Sequence, residues 1–169
     1  MILRHATAAD RDAVVALSLH FHQSTPYGQL LTVDADRIAA LFNLALAQGV
    51  VLVAEVERPT PPAYNHTRGD SALTPCLLCA HTLVAFLGVV ATEHSLSGDR
   101  YAEEVAWWVE PAYRTGTLGP RLLVKAEEWA RAAGCAFLTM RAPAGTDVGR
   151  FYERLGYQLV ETAFLKRVA

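Results

Sequence analysis

Between Glu103 and Ala133 the chain reads EEVAWWVEPAYRTGTLGPRLLVKAEEWARAA, and no other stretch restricts the fold as tightly. An apolar run ends at Val109, Glu110-Pro111 makes a turn, and a basic, glycine-bearing loop from Arg114 to Gly119 leads into a helix. Leu122, Leu123, Ala126, Trp129, Ala130 and Ala133 recur on one face of that helix, with Arg121, Lys125, Glu128 and Arg131 on the other. Pro120 suits the first turn and Gly134 the stop. A strand is predicted over Ala136 to Arg141, which completes a βαβ unit. Two parallel strands so joined lie side by side, with ligands at their C-terminal ends.

The loop ahead of the helix is suited to an anion. Helix N-termini expose unpaired N–H groups and the positive end of the macrodipole. Gly116 and Gly119 allow close backbone approach and positive φ, and Arg114 adds a cation. A tight strand-to-helix turn would use the same glycines, so that alternative stays open. The loop lacks a Gly-Lys-Ser/Thr ending and no Gly-x-Gly-x-x-Gly opens the unit, which argues against nucleotide hydrolysis and dinucleotide binding.

A chain of 169 residues, 52% hydrophobic and 19% charged, suits one folded domain with a sizeable core. A net charge of −2 gives no basic field for nucleic acid or an anionic membrane, so a small-molecule partner is the default. The longest apolar run, Leu77 to Ala91, is broken by His81, Thr82 and Gly88, and the N-terminus lacks a signal-peptide core, so a cytoplasmic location is expected. Three cysteines argue against a disulfide framework. Cys76-x-x-Cys79-x-His81, with His66 upstream, lacks a second matched pair, so no metal is expected.

In chain order, Ile2 to Ala6 reads as a strand and Thr7 to Asp10 as a capping-box start to a helix carrying Val14, Leu17 and Phe21. His20 and His22 fall near its end, where an imidazolium complements the dipole. Ser24 to Val33 reads as a loop, and Asp34 to Gln48 as a helix burying Ile38, Leu41, Phe42 and Ala45. Val50 to Glu57 is a strand, residues 58–75 an exposed connection, and Leu77 to His94 the returning strand, with Gly88 marking a bulge or close approach. Strict alternation along Tyr101 to Val109 puts Glu104, Ala106 and Trp108 on one face and Glu103, Val105, Trp107 and Val109 on the other. Thr146 or Asp147 caps a short helix with Val148, Phe151, Tyr152 and Leu155, Gly156-Tyr157 closes it, and Gln158 to Val168 forms a closing strand or hairpin.

Two segments carry a resemblance. The order strand, Val-x-Pro, Tyr-Arg, small-residue loop and amphipathic helix resembles the acyl-CoA-binding segment of the Gcn5-related N-acetyltransferase superfamily. Its Arg/Gln-x-x-Gly-x-Gly/Ala pattern is here Arg114-x-x-Thr117-x-Gly119. Arg150 to Tyr157 resembles the Phe/Leu-Tyr-Glu-Lys-x-Gly-Phe signature that ends the same superfamily, with Gly145 and Val148 where Asn and Ala are usual.

The resemblance implies an α/β (α+β) fold, a single domain over 1–169 with a mixed central sheet of roughly six to seven strands flanked by about four helices. It implies transfer of an acetyl group from acetyl-CoA to a primary amine on a small-molecule or peptide acceptor. Trp108 and Val109 would pair with the pantetheine arm, and Arg114, Thr115, Gly116, Thr117, Leu118 and Gly119 would hold the pyrophosphate. Tyr152 would be the general acid and Glu104 the base, with Glu103 pointing the other way and Glu93 and His94 in reserve. Tyr27 and Phe42 are candidates for the acceptor pocket, Phe42 being better suited to the core. No nucleic-acid or membrane partner is implied, and a homodimer is compatible. The competing class is a non-catalytic acyl-CoA-binding or regulatory module, which the residues at Thr117, Gly145 and Val148 keep open.

Overall fold

The computed structural model describes residues 1–57, 81–166 and 168. It holds two compact units, Met1–Thr139 and Met140–Ala169.

The first unit is built on a five-stranded sheet in the order β1-β2-β3-β4-β5. The strands are β1 (Ile2–His5), β2 (Gly49–Glu57), β3 (His81–Glu93), β4 (Arg100–Val109) and β5 (Phe137–Thr139). Neighbours run antiparallel except β4 and β5, which are parallel. Helices α1 (Arg11–Gln23), α2 (Tyr27–Leu30) and α3 (Ala35–Gln48) precede β2, and α4 (Leu118–Ala132) joins β4 to β5, as the βαβ reading expected. The short α2 falls inside the stretch expected to be loop, Ser24 to Val33. Asp34 caps α3, its carboxylate accepting from the N–H of Asp36 at 2.8 Å.

Alternation decides which residues meet which helices. Val51, Val53, Phe86 and Trp108 join Val14, Leu17, Phe42 and Ala45 in one buried cluster beneath α1 and α3. The other face carries Leu52, Leu87 and Val89, and α4 packs across β2, β3 and β4 with Leu122, Leu123 and Ala126 buried. Gly49 opens β2 because a Cβ there would collide with the Val89 carbonyl oxygen of β3. The end of α4 is a Schellman motif. Gly134 adopts φ 74°, Cys135 N–H bonds to the Ala130 carbonyl at 2.9 Å, and Gly134 N–H bonds to that of Arg131 at 3.1 Å.

One irregularity corrects the alternation read from sequence. Gly88 pairs with Ala106 but Val89 pairs with Glu104, so Val105 is an extra residue in β4 and a bulge lies opposite the Gly88/Val89 step. The bulge expected at Gly88 is there, though a Cβ at Gly88 would meet nothing closer than ordinary contact, so no close approach demands glycine. An extra residue reverses the faces of everything before it. Glu104 therefore shares the side of Leu87 and Val89, the α4 side, and not that of Ala106 and Trp108.

β5 pairs with β4 only from Tyr101 to Glu103, immediately before this bulge. It is shorter than the predicted Ala136 to Arg141, since pairing with β4 stops where the bulge interrupts the ladder.

In the second unit, α5 (Val148–Arg154) ends on another Schellman motif. Gly156 has φ 89°, Gly156 N–H bonds to the Glu153 carbonyl at 3.0 Å and Tyr157 N–H to that of Tyr152 at 3.1 Å. The ring of Tyr157 packs on that of Tyr152 with centroids 5.6 Å apart, the apolar contact that accompanies this motif. No strand forms over the described part of Gln158 to Val168, where Leu159, Val160 and Phe164 are exposed. Apolar, β-favouring composition does not make a strand without a paired edge. Among the described residues the sheet thus has five strands, not six or seven, and there are five α-helices, not four. The expected connection at 58–75, and the Cys76, Cys79 and His66 of the weak metal motif, lie outside the described residues.

Candidate active site

The end of β4 is where the first unit brings functional groups together. Glu110 N–H bonds to the Val84 carbonyl of β3 at 2.9 Å, so the backbone of Val109, one residue earlier, points away from β3. It faces the edge that β5 leaves uncovered beyond Glu103. Trp108 pairs with Phe86, and its N–H and C=O belong to the ladder. Of the two residues expected to meet a pantetheine arm, Val109 alone offers main chain at the open edge.

Arg114 folds back on this strand end. Its Nε donates to the Val109 carbonyl at 2.8 Å and its guanidinium lies 4.3 Å from the centre of the Trp108 ring. That leaves Val109 its N–H, and leaves Arg114 two terminal nitrogens with no hydrogen bond among the described residues.

Thr115, Gly116 and Thr117 are exposed, and α4 begins at Leu118. The first bond of this helix is Arg121 N–H to the Thr117 carbonyl at 3.0 Å, so Leu118 and Gly119 offer N–H groups and Pro120 none. The Thr117 side chain does not cap them. Gly116 does not use the left-handed region open to it, and the space where its Cβ would stand is open. Thr117 has φ −89° and ψ 4°, a conformation any residue adopts, so the glycine missing from the family pattern is not needed for backbone shape.

Beside this end of β4 lies an open groove of about 350 Å³ lined by His20, Gln23, Ser24, Trp108, Glu110 and Pro111. His20 Nδ1 stands 2.9 Å from Glu110 Oε1, joining residues ninety positions apart. Phe21 packs edge-on against Trp108, with centroids 6.2 Å apart. The buried Trp108 Nε1–H has no hydrogen-bond partner among the described residues. An orphaned buried donor costs about 1–3 kcal/mol and marks a place for a water or ligand oxygen. In sequence, His20 reads as a dipole partner in preference to a catalytic or ligand residue, and Glu110 as a turn residue. The usable signal was an acidic residue directly after the strand that precedes the loop.

Glu104 is 5% exposed on the α4 side, and Glu103 is half-buried opposite Val90, on the side of α1 and α3. Phe42, 4% exposed, belongs to the core cluster with Ala45 and also lines a small apolar cavity there, away from the groove. Tyr27 is exposed at the start of α2 and does not line the groove. In the second unit, Tyr152 is buried and its hydroxyl donates to the Arg141 carbonyl at 3.3 Å. Gly145 has φ 77°, a conformation that Gly and Asn both adopt readily, so its replacement of the usual Asn keeps the local backbone.

Residues 38–157 match the model of the acetyltransferase (GNAT) family. The chain belongs to this family. Solved structures agree in fold across essentially their whole length. An acetyltransferase from Trypanosoma brucei is 17% identical, with 99% of each chain covered and a TM-score of 0.66. An aminoglycoside antibiotic 6'-N-acetyltransferase from Acinetobacter haemolyticus is 18% identical, with 100% of each chain covered and a TM-score of 0.65. A ribosomal-protein-alanine N-acetyltransferase from Brucella melitensis is 16% identical, covering 98% of this chain and 97% of its own, with a TM-score of 0.65. No curated protein matches the sequence. Both segments that carried the resemblance fall within the GNAT match, and no described helix is long and apolar enough to cross a membrane.

Proposed function

We propose that this GNAT protein is an acetyl-CoA-dependent N-acetyltransferase acting on a primary amine of a small-molecule or peptide acceptor. One observation carries the reading: β4 ends in an edge that β5 leaves unpaired, and an exposed loop leads from it to a helix start with unpaired N–H groups. A pantetheine arm has a main-chain donor at Val109, and a pyrophosphate has Thr115 to Gly119 with the terminal nitrogens of Arg114. The Val109 N–H is also suited to polarise the thioester carbonyl as charge develops on it. Tyr152 is the general acid of this reading, supplying a proton to the departing thiolate. Glu104 is buried under α4, on the sheet face away from Trp108 and the groove, and is not the base of this reading.

Nitrogen as the acceptor atom is supported by two fold neighbours that are N-acetyltransferases by name. The GNAT match spans both compact units, which supports treating 1–169 as one catalytic domain, and we place that domain in the cytoplasm. A non-catalytic acyl-CoA-binding module is the second reading, favoured by the hydrogen bond that already occupies the Tyr152 hydroxyl.

Thermal unfolding with and without acetyl-CoA tests the shared part. Ligand at about 100 times its Kd adds about 2.7 kcal/mol, and no shift at millimolar acetyl-CoA ends both readings. Amine-dependent release of free thiol from acetyl-CoA then separates enzyme from module.

A further inference from the structure

We propose that His20 is the catalytic base of the acceptor site and Glu110 its positioning residue, serving a small primary amine that arrives as an ammonium ion. This rests on the acetyl-transfer reading above. Two elements far apart in sequence, the end of α1 and the first residue past β4, bring these side chains to 2.9 Å in an open groove. The His20 side chain is 58% exposed and that of Glu110 26%, so neither pairing nor burial is needed to hold a core together. A helix dipole would favour an imidazolium at this position, but it requires neither a carboxylate partner nor a place in a groove wall.

The carboxylate sets the chemistry. Ionised, it can only accept, so the ring nitrogen facing it carries the hydrogen, which leaves Nε2 with its lone pair free. No other hydrogen bond to the ring exists among the described residues. The Trp108 ring is already covered by the Arg114 guanidinium, so an incoming ammonium is read by Glu110 and not by the indole.

The step balances without a further reactant. The ammonium proton passes to Nε2, and the freed nitrogen lone pair attacks the thioester carbonyl carbon beside Val109. The C–N bond forms as the C–S bond breaks, and the electron pair leaves with sulfur. The proton shed by the acylated nitrogen ends on the thiolate, and the imidazolium returns its own to water. Glu110 stabilises that imidazolium while it exists.

The test uses tyramine, spermidine and a lysine-containing tripeptide as probes, with full-length protein. His20→Ala is expected to lower kcat/KM for any accepted amine about 100-fold, with acetyl-CoA affinity within about twofold of wild type. Added imidazole should restore at least about tenfold of that loss, which a structural role would not permit. Glu110→Gln should lower kcat while nitrogen-15 spectra show the His20 ring losing its Nδ1–H preference. Wild-type turnover retained in His20→Ala, or a loss that imidazole does not rescue, overturns the assignment of the base. An unchanged ring tautomer in Glu110→Gln overturns the positioning role. Acetyl-CoA binding with none of the three amines acetylated overturns the substrate class, whereas absence of acetyl-CoA binding overturns the underlying reading instead.

Discussion

Helix α1 has a hydrogen-bonded polar pair at each end, and the two are built to opposite ends. At its start, Arg4 grips Asp10 with both terminal nitrogens at 2.8 Å and reaches Glu55 at 3.0 Å, while the Thr7 N–H donates to Asp10 at 2.7 Å. The Asp10 and Glu55 side chains are 11% and 12% exposed, and both Asp10 oxygens and one Glu55 oxygen are occupied by the chain itself. At its end, His20 and Glu110 share one hydrogen bond and leave a ring nitrogen and a carboxylate oxygen to the solvent side of a groove. A saturated network holds a fold. An unsaturated one is available to a ligand.

The strongest way to break this contrast is to remove the central cation. Arg4→Ala strands two largely buried carboxylates and should cost about 3 kcal/mol, read as a lower urea midpoint at unchanged slope. His20→Ala, by the same measurement, should move stability by less than about 0.5 kcal/mol. Equal losses at the two ends would erase the distinction.

Acid sharpens it next. The hydrogen bonds from Arg4 hold the Asp10 carboxyl down at about 2, against an ordinary value of 3.8. A carboxyl depressed in the folded state stabilises it fully above the ordinary value and loses that contribution as pH falls through the folded one. The loss therefore falls between about pH 4 and pH 2 and amounts to about 2 kcal/mol. Asp10→Asn should flatten the stability profile in that window.

Tyr152 tests whether a group already bonded can still do chemistry. Its bond to the Arg141 carbonyl, at 3.3 Å, is long for a hydroxyl, and so weak to lose. Tyr152→Phe should lower stability by less than about 1 kcal/mol and slow thiol release about tenfold or more. Transfer at full rate in this variant would assign the hydroxyl to the fold alone.

What could be read in the sequence was local. The amphipathic face of α4, its stop at Gly134, and the closure of α5 at Gly156-Tyr157 each depend on residues within a turn of one another, and periodicity and capping chemistry record them directly. The bulge at Val105 adds one residue to one strand without changing composition, so the face of Glu104 could not be settled by counting. The partnership of His20 with Glu110 spans ninety positions and exists only after β4 is set beside α1. Gln158 to Val168 had the composition of a strand, but a strand is defined by a partner, and composition does not name one.

The smallest effect concerns the loop itself. Thr117 departs from the family pattern where a glycine is usual, and a conformational need for glycine would make it a defect. Its φ of −89° and ψ of 4° remove that need, and its side chain makes no capping bond that competes for the helix N–H groups. A pyrophosphate held at Leu118 and Gly119 is contacted through backbone, which Thr117→Gly leaves in place. That variant should therefore bind acetyl-CoA within about twofold of wild type by calorimetry, a difference of less than about 0.5 kcal/mol. Tightening by tenfold or more would show that the threonine side chain obstructs the approach, and would move the loop from the region left open for a ligand to one the fold partly closes.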